Sequence, residues 1–368
     1  METNSTNEQS GNYDASDPNR CAWCHVRMVD RSYNPNSCLC GDCRQELTKL
    51  RIPNTIKIIS LIFTALVVAT LVLSYPDMKN YGSFKNSEAK ADDGYVVSSM
   101  DNLVDLLGKY PDSKYIAIEL ADLGMEYEYY DYAAYAIDNY LIGIDLSDSE
   151  YNKLSDYIDE INIYYDTTDI ADSLSDDAGL NDATTSDEYI SAMDTYSESL
   201  SNLLGNESYN QQLIYYYLAY FANNDDDRKY YLETCTLLTK NNFDANAQLA
   251  NYYRRYGDLD KADDIITDSY NRNKEDPSTL RSIGIIKMLQ GNLSEGLDFA
   301  KKAYDTYPEG DYVTDTYIVA LAANSQLDKA KALKDQSEED GYYFDAEMDQ
   351  YLNGELSLAQ YYVDEEDE

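Results

Sequence analysis

Apolar residues follow different rules in successive parts of this chain. From Ile56 to Tyr75 they are nearly continuous, and Ile58 to Leu73 reads Ile-Ile-Ser-Leu-Ile-Phe-Thr-Ala-Leu-Val-Val-Ala-Thr-Leu-Val-Leu without a charge. Beyond this run, apolar and aromatic side chains recur at the three- and four-residue spacing of amphipathic helices, with few strand-like alternations. Ahead of it, polar residues dominate and the landmarks are cysteines. The pattern predicts a polar head, one long apolar helix and a helical body.

About 20 residues of helix span roughly 30 Å, the thickness of a bilayer core. Eleven residues between Ile58 and Leu73 are Ile, Leu, Val or Phe, which together favour insertion by about 3 to 7 kcal/mol. No polar stripe breaks the run, as a helix in a soluble core would require on its wet side. The run begins too far into the chain for a cleaved signal peptide and lacks a small-residue cleavage site, so it reads as a signal anchor over 55–75. Lys57 can snorkel at one end and Tyr75 suits the other interface. Ser60, Thr64 and Thr70 can return their hydroxyls to helix carbonyls. Pro76 is expected to end the helix, leaving 76–93 as a polar stalk.

The head carries Cys21-Ala-Trp-Cys24 and Cys40-Gly-Asp-Cys43, with Cys38 extra. Paired C-x-x-C motifs at this separation bend the backbone so that each pair offers two thiolates to one ion, and two pairs complete a tetrahedron. Residues 20–50 are too few to bury a core, so metal would supply the folding energy. The stretch resembles zinc-ribbon and treble-clef knuckles, with a helix expected to start after the second pair at Arg44. That resemblance implies a closed structural zinc site at Cys21, Cys24, Cys40 and Cys43. The head departs from it in having His25 and Arg44, not glycine, after the second cysteine of each pair. Cys38 could compete with Cys40. Cys21 to His25 also matches the C-x-x-C-H pattern of haem attachment, which would leave the second pair unexplained.

Residues 1–75 hold seven basic and seven acidic side chains, so the head has no strong field for nucleic acid. All 41 net negative charges of the chain lie beyond residue 75. They disfavour nucleic acid and anionic lipid headgroups, and they favour a basic protein or peptide by steering. Arg44, Lys49, Arg51 and Lys57 before the apolar run face Lys79, Lys85 and Lys90 after it, a small positive-inside excess. Five of the six cysteines precede the run, and thiols stay reduced in the cytosol. The N-terminus is therefore expected in the cytoplasm and the body outside the cell membrane.

Within the body, Gly257-Asp-Leu-Asp-Lys-Ala262, Gly291-Asn-Leu-Ser-Glu-Gly296 and Ser325-Gln-Leu-Asp-Lys-Ala330 repeat at 34 residues. Gly257 and Gly291 suit the turn between two antiparallel helices. Leu259, Leu293 and Leu327 open the second helix's apolar face. Ala262, Gly296 and Ala330 are small where the pair would pack closest. Leu249-Ala250 and Ile283-Gly284 supply the matching positions on the first helix, with Ile318 replacing the small residue in the third copy. Pro277 starts a helix and Pro308 ends a repeat. Residues 243–344 thus resemble tetratricopeptide repeats (TPR). The resemblance implies an all-α, TPR-like α-solenoid of antiparallel helix pairs, and so an extended surface for protein or peptide partners.

Upstream the pattern is weaker but persists at Tyr130 to Ala136, Tyr215 to Ala222 and Arg228 to Leu238. The expected divisions are a disordered polar tail at 1–19, the head at 20–50, the anchor at 55–75, the stalk at 76–93, and a helical TPR-like segment at 94–165. An acidic loop or linker, or else a frayed helix end, follows at 166–187, then the solenoid at 188–344 and a helical cap with an acidic end at 345–368. The 39 tyrosines are expected mainly to fill packing between repeats with their hydroxyls wet, some lining the groove as contact anchors. Asp-rich spots at 145–150 and 225–227 lack the EF-hand glycine and read as solvated charge. Asn4, Asn206 and Asn292 head glycosylation-type triplets that matter only in a host that glycosylates.

The body lacks histidine, a Gly-rich phosphate loop and a G-x-S-x-G motif, so neither an enzyme nor a small-molecule substrate is expected. The overall expectation is a single-pass membrane protein whose external solenoid holds a partner. The alternatives are a transmembrane regulator whose head contacts a cytosolic factor, and a passive surface spacer.

Overall fold

The computed structural model describes residues 17–363, except 33, 50–53, 311 and the side chain of Pro76. The expected tail at 1–19, save its last three residues, and the acidic end at 365–368 lie outside the described residues. The chain divides into two compact units, 1–78 and 79–368. The first holds a short helix α1 (Gly41–Lys49), which closes the cysteine head, and the apolar run, which lies in the early part of a long helix α2 (Asn54–Asp92) whose residues from 79 on belong to the second unit. Over its most apolar 18 residues α2 has a mean hydropathy of 2.6, and none of that window is buried. Thr64 and Thr70 donate to the carbonyls of Ser60 and Leu66, each at 2.8 Å.

Pro76 does not end this helix, and 76–93 is not a stalk. Proline removes one backbone N–H bond, but α2 continues for four further turns because its later part is packed. Asn80, Ser83, Ser87 and Ala91 share one helix face. Ser87 and Ala91 are buried, the Asn80 amide donates to Tyr110 at 2.7 Å, and Asn102 donates to the Ser83 carbonyl at 3.0 Å. Apart from Phe84, which packs on the same core, small and polar residues make this contact, so little apolar periodicity announces it.

The second unit is a succession of helices. First come α3 (Val96–Lys109), α4 (Lys114–Glu126), and α5 (Tyr130–Ala136) running into a π-helical turn at Ile137–Leu141. Next are α6 (Asp148–Ala178), α7 (Ser186–Ser201), α8 (Gln211–Tyr220) and α9 (Asp225–Leu238). The regular repeats follow as α10 (Phe243–Arg255) with α11 (Leu259–Arg272), α12 (Pro277–Leu289) with α13 (Leu293–Thr306), and α14 (Val313–Ala323) with α15 (Leu327–Glu339). The chain ends in α16 (Ala346–Leu352) and α17 (Leu358–Tyr362). Among the described residues the only bridge is the isolated Arg20–Met28 pair in the head. The fold is all-α, a TPR-like solenoid.

The segment at 166–187, expected as a loop or linker or as a frayed helix end, is mostly the last turns of a well-formed helix. α6 runs through it to Ala178 and stops at Gly179, which takes the left-handed φ of 76° that glycine tolerates. Its buried residues there are small, Thr167 and Ala171. Thr167 also accepts the Asn210 backbone N–H at 2.7 Å, so a hydrogen bond helps to hold what large side chains would otherwise hold.

The repeat geometry follows the sequence logic closely. Gly257 and Gly291 adopt φ of 77° and 86°, and Ser325 takes the same left-handed turn at 61°. Gly284 and Gly296 mark where α12 and α13 touch. A Cβ at Gly296 would lie 2.8 Å from the Gly284 carbonyl oxygen. In the third pair, Ile318 is fully buried where the earlier copies are small.

The tyrosines do more than pack. Many donate their hydroxyls to carboxylates of other helices or the adjoining turns: Tyr342 to Asp315 at 2.6 Å, Tyr132 to Asp101 at 2.6 Å, Tyr165 to Asp131 at 2.5 Å, and Tyr256 to Asp225. Bonds of this kind to a carboxylate are stronger than neutral ones where they are shielded from water, as Tyr342–Asp315 partly is. In a body short of lysine and arginine, tyrosine supplies donors to acidic side chains between helices, mostly at exposed positions.

Several carboxyls have the opposite problem. Burial pushes the carboxyls of Glu119, Glu128 and Asp315 upward, and that of Asp276 to about 6. Glu128 stays raised although Thr239 and Gln212 donate to it. These groups bind protons more tightly folded than unfolded, where they titrate near ~4. Stability therefore falls as pH rises through that window and recovers as it falls back. Glu150, held at about 2 first by the Ser147 backbone N–H and then by Lys114, works the other way, below ~4. Thermal denaturation of the body is expected at a higher temperature at pH 5.5 than at pH 8, with Asp276→Asn flattening the difference. A midpoint lower at pH 5.5 would contradict this.

Candidate functional site

The head is built around its cysteines. The Cys21 N–H donates to the Arg27 carbonyl at 2.8 Å, and the His25 N–H to the Cys21 carbonyl at 2.9 Å, closing a tight knuckle. His25 sits at φ 54°, the left-handed position that a glycine would relieve. The second pair is made differently. Cys40 precedes α1 and Cys43 lies in its first turn, with the Cys43 N–H 3.4 Å from the Cys40 sulfur. Backbone N–H groups at a helix start favour thiolates. The knuckle is tied to the second pair by the Ala22 N–H, which donates to the Cys38 carbonyl at 2.8 Å. Arg44 ties the loop to the helix by donating to the Asp30 carbonyl at 2.6 Å and to Ser37 at 2.8 Å.

These connections bring the sulfurs of Cys21, Cys24, Cys40 and Cys43 within 4.8 Å of one another. Cys38 is exposed and His25 points to solvent, so neither belongs to the cluster. Around a tetrahedral zinc with sulfur at about 2.3 Å, neighbouring sulfurs stand about 3.8 Å apart. The Cys24 and Cys40 sulfurs are 3.9 Å apart, so the donor set fits such an ion. Burial opposes ionising Cys21, yet hydrogen bonds from the Cys24, Cys40 and Trp23 backbones outweigh it and bring the thiol to about 6. Cys24 is also lowered, chiefly by the Arg27 and Val26 backbones. Cys43 is pushed up, first by its hydrogen bond with Cys40 and then by burial. The head's apolar cluster is the ligand set itself, with Leu39 packed on it.

The body's candidate surface is the face shared by the first helices of the repeats. α10 packs on α12 and α12 on α14, whereas their second helices α11, α13 and α15 are not packed together in this way. The first helices α10, α12 and α14 therefore share one face of the stack. Buried residues of α10 and α12, such as Leu249, Ile283 and Ile286, hold the stack together. Polar and charged groups stand at its edge. Lys287 bridges to Asp263 at 3.0 Å, and Arg281 donates to Thr316 at 3.0 Å. Sequence periodicity placed these helices but could not say which charges meet across neighbouring repeats.

Fold and site together define an all-helical, TPR-like chain with a four-cysteine cluster able to hold a metal ion. No family model matches the chain, and no curated protein matches it. Among solved structures it is similar to the crystal structure of yeast Tom70, with a TM-score of 0.30 and 11% identity, covering 74% of this chain and 69% of that one. It is also similar to the APC/C hetero-tetramer Cut9–Hcn1, with a TM-score of 0.28 and 14% identity, covering 75% of this chain and 70% of that one. The repeat architecture stands on the period and helix pairing of this chain.

Proposed function

We propose that this is a single-pass membrane protein whose acidic solenoid acts outside the membrane as a scaffold for a basic protein or peptide, with a structural zinc site in a cytosolic head. The observation that carries the scaffold reading is the shared face formed by α10, α12 and α14. The anchor reading draws on α2, whose apolar side chains, including Leu61, Phe63 and Leu73, are exposed on every side. In water this surface would be costly. Zinc at Cys21, Cys24, Cys40 and Cys43 would leave no open coordination position, so it would hold structure and not perform catalysis.

Protease added to intact cells or spheroplasts is expected to digest residues 93–368 and spare the head. Protection of the body would reverse the orientation. Crosslinked pull-down from membranes is expected to recover a basic partner, and its association rate should fall as salt rises. Exposed charges feel one another over about 8–10 Å at physiological ionic strength. An acidic partner, or a rate indifferent to salt, would remove the electrostatic half of the proposal.

A second reading has its own support. Trp23, the chain's single tryptophan, is 62% exposed in the knuckle, beside exposed Val26 and Met28. Aromatic side chains of this kind anchor protein contacts, which favours a head that reports to a cytosolic factor. Loss of a captured cytosolic protein on Trp23→Ala would support that regulator reading.

A further inference from the structure

The shared face already has an occupant. α16 rests on α14 and α15, as the first helix of a further repeat would. α17 does not continue the array; it turns inward and lies on α12. Ser357 and Gln360 fix that turn with a reciprocal capping box. The result is that Tyr362, 7% exposed, joins Ile285, Met288, Ile318 and Met348 in one apolar cluster.

Arg254 completes the contact from α10. Its guanidinium donates to the Tyr362 carbonyl and to Asn251. It also stands 5.2 Å from the centre of the Tyr362 ring. Arg254 is itself only 7% exposed, so α17 covers it. One short segment thus touches α10, α12 and α14 together, through a ring and a main-chain carbonyl. Neither group is peculiar to this sequence, and a foreign peptide could present both.

The fit has defects that would let it be displaced. The Tyr362 hydroxyl is directed towards Thr316, whose oxygen already serves Arg281 and donates to the Tyr312 carbonyl. The hydroxyl closes no hydrogen bond of normal geometry. A buried polar group left in that state weakens the contact that holds it. The sequence then continues Asp364-Glu-Glu-Asp-Glu368, which places five of the body's excess negative charges directly after this segment. Repulsion therefore works against the segment that the ring and carbonyl hold in place.

We propose that Leu358–Val363 is a displaceable intramolecular occupant of the α10–α12–α14 groove. The ligand that replaces it is a basic peptide bearing an aromatic residue, which offers Arg254 a ring and a carbonyl without the acidic repulsion. This rests on reading the solenoid as a partner-binding scaffold, and it names the site and the ligand chemistry. A tethered occupant competes at an effective concentration on the order of millimolar, so it raises the threshold for binding without closing the groove.

The test uses fluorescent synthetic peptides copying residues 355–363, extended either with lysines or with the native acidic residues. Binding is measured to the full chain in detergent and to the same chain ended at Asn353. The lysine-extended peptide is expected to bind the shortened chain about tenfold or more tightly than the full chain, and Arg254→Gln in the shortened chain to lose about tenfold. Equal affinity for both chains, or indifference to Arg254→Gln, would overturn the proposal. If circular dichroism shows that shortening unfolds the chain, full-length Tyr362→Ala should bind the peptide more tightly than wild type and Tyr362→Phe less tightly. Unchanged binding in both would overturn it equally. Lysine- and acid-extended peptides binding the shortened chain alike would refute the basic ligand. A basic partner captured equally by full and shortened chains would refute the occupant while leaving the scaffold reading intact.

Discussion

Replacing both Cys21 and Cys40 by serine is expected to empty the head of metal and unfold residues 17–49, while the helical signal of the body stays unchanged. The buried cluster of the head consists of Cys21, Cys40 and Cys43, with only Cys24 and Leu39 packed against it. Take away the metal and no apolar core remains to repay the entropy of ordering the chain. Structural zinc in small domains contributes about 10–16 kcal/mol of apparent binding free energy at neutral pH. No set of ion pairs such as Arg44–Asp30, 3.6 Å apart and partly exposed, approaches that, since exposed pairs contribute about 1 kcal/mol or less. Metal analysis of the purified chain should find near one zinc per molecule, falling to none in the double variant. Stoichiometric zinc in that variant would refute the ligand set. Cys38→Ser should leave the metal content intact, because Cys38 is exposed outside the cluster.

Gly296→Leu is expected to be among the most destabilising single changes in the body, by about 3 kcal/mol. A Cβ there would stand 2.8 Å from the Gly284 carbonyl oxygen and 3.1 Å from the Met288 nitrogen. These are backbone atoms of the facing helix, and they cannot swing aside as a side chain can. The helices would have to separate, opening the contact that buries Ile285, Met288 and Ala300. Gly296→Ala should cost less, because the gain in helix propensity, about 1 kcal/mol, offsets part of the clash. Denaturant unfolding measures both. A loss below about 0.5 kcal/mol for the leucine variant would show that α12 and α13 are not locked at this point.

The regular repeats were legible because their physics is local and periodic. A turn residue, a leading leucine and a small contact residue recur at the same interval, and each has one role in a helix pair. The four-cysteine set was legible for a similar reason: two short spacings each bring two thiols together before any long-range folding. The C-x-x-C spacing favours Cys40 as the partner of Cys43 but does not by itself exclude Cys38, which lies two residues away. The choice follows from backbone pairing. The Cys38 carbonyl holds Ala22 while Cys40 sits at the mouth of α1, where its sulfur meets the Cys43 N–H.

The helices that occupy 76–92 and 166–178 are weakly marked in the sequence for a shared reason. In both, the most deeply buried residues are small or polar, Ser87 and Ala91 in one, Thr167 and Ala171 in the other, and only a few large apolar groups, Phe84 and then Leu174 and Leu180, pack beside them. Hydropathy periodicity detects burial of large apolar groups and is blind to helices held by hydroxyls and amides. Tyrosine misled in a milder way. Composition suggests a packed ring and a wet hydroxyl, yet Tyr132, Tyr165 and Tyr342 donate theirs to carboxylates from other helices or turns.

By itself the sequence determined the helical class, the 34-residue period, the long apolar helix, the paired cysteines and the one-sided charge, because each depends on composition or on neighbours along the chain. Only the tertiary structure decided which first helices come together into a shared face, which of Cys38 and Cys40 joins the cluster, and that α17 turns back to set Tyr362 against Arg254. These are contacts between residues up to 108 positions apart. Their partners are chosen by how the helices stack, and no local pattern records that choice.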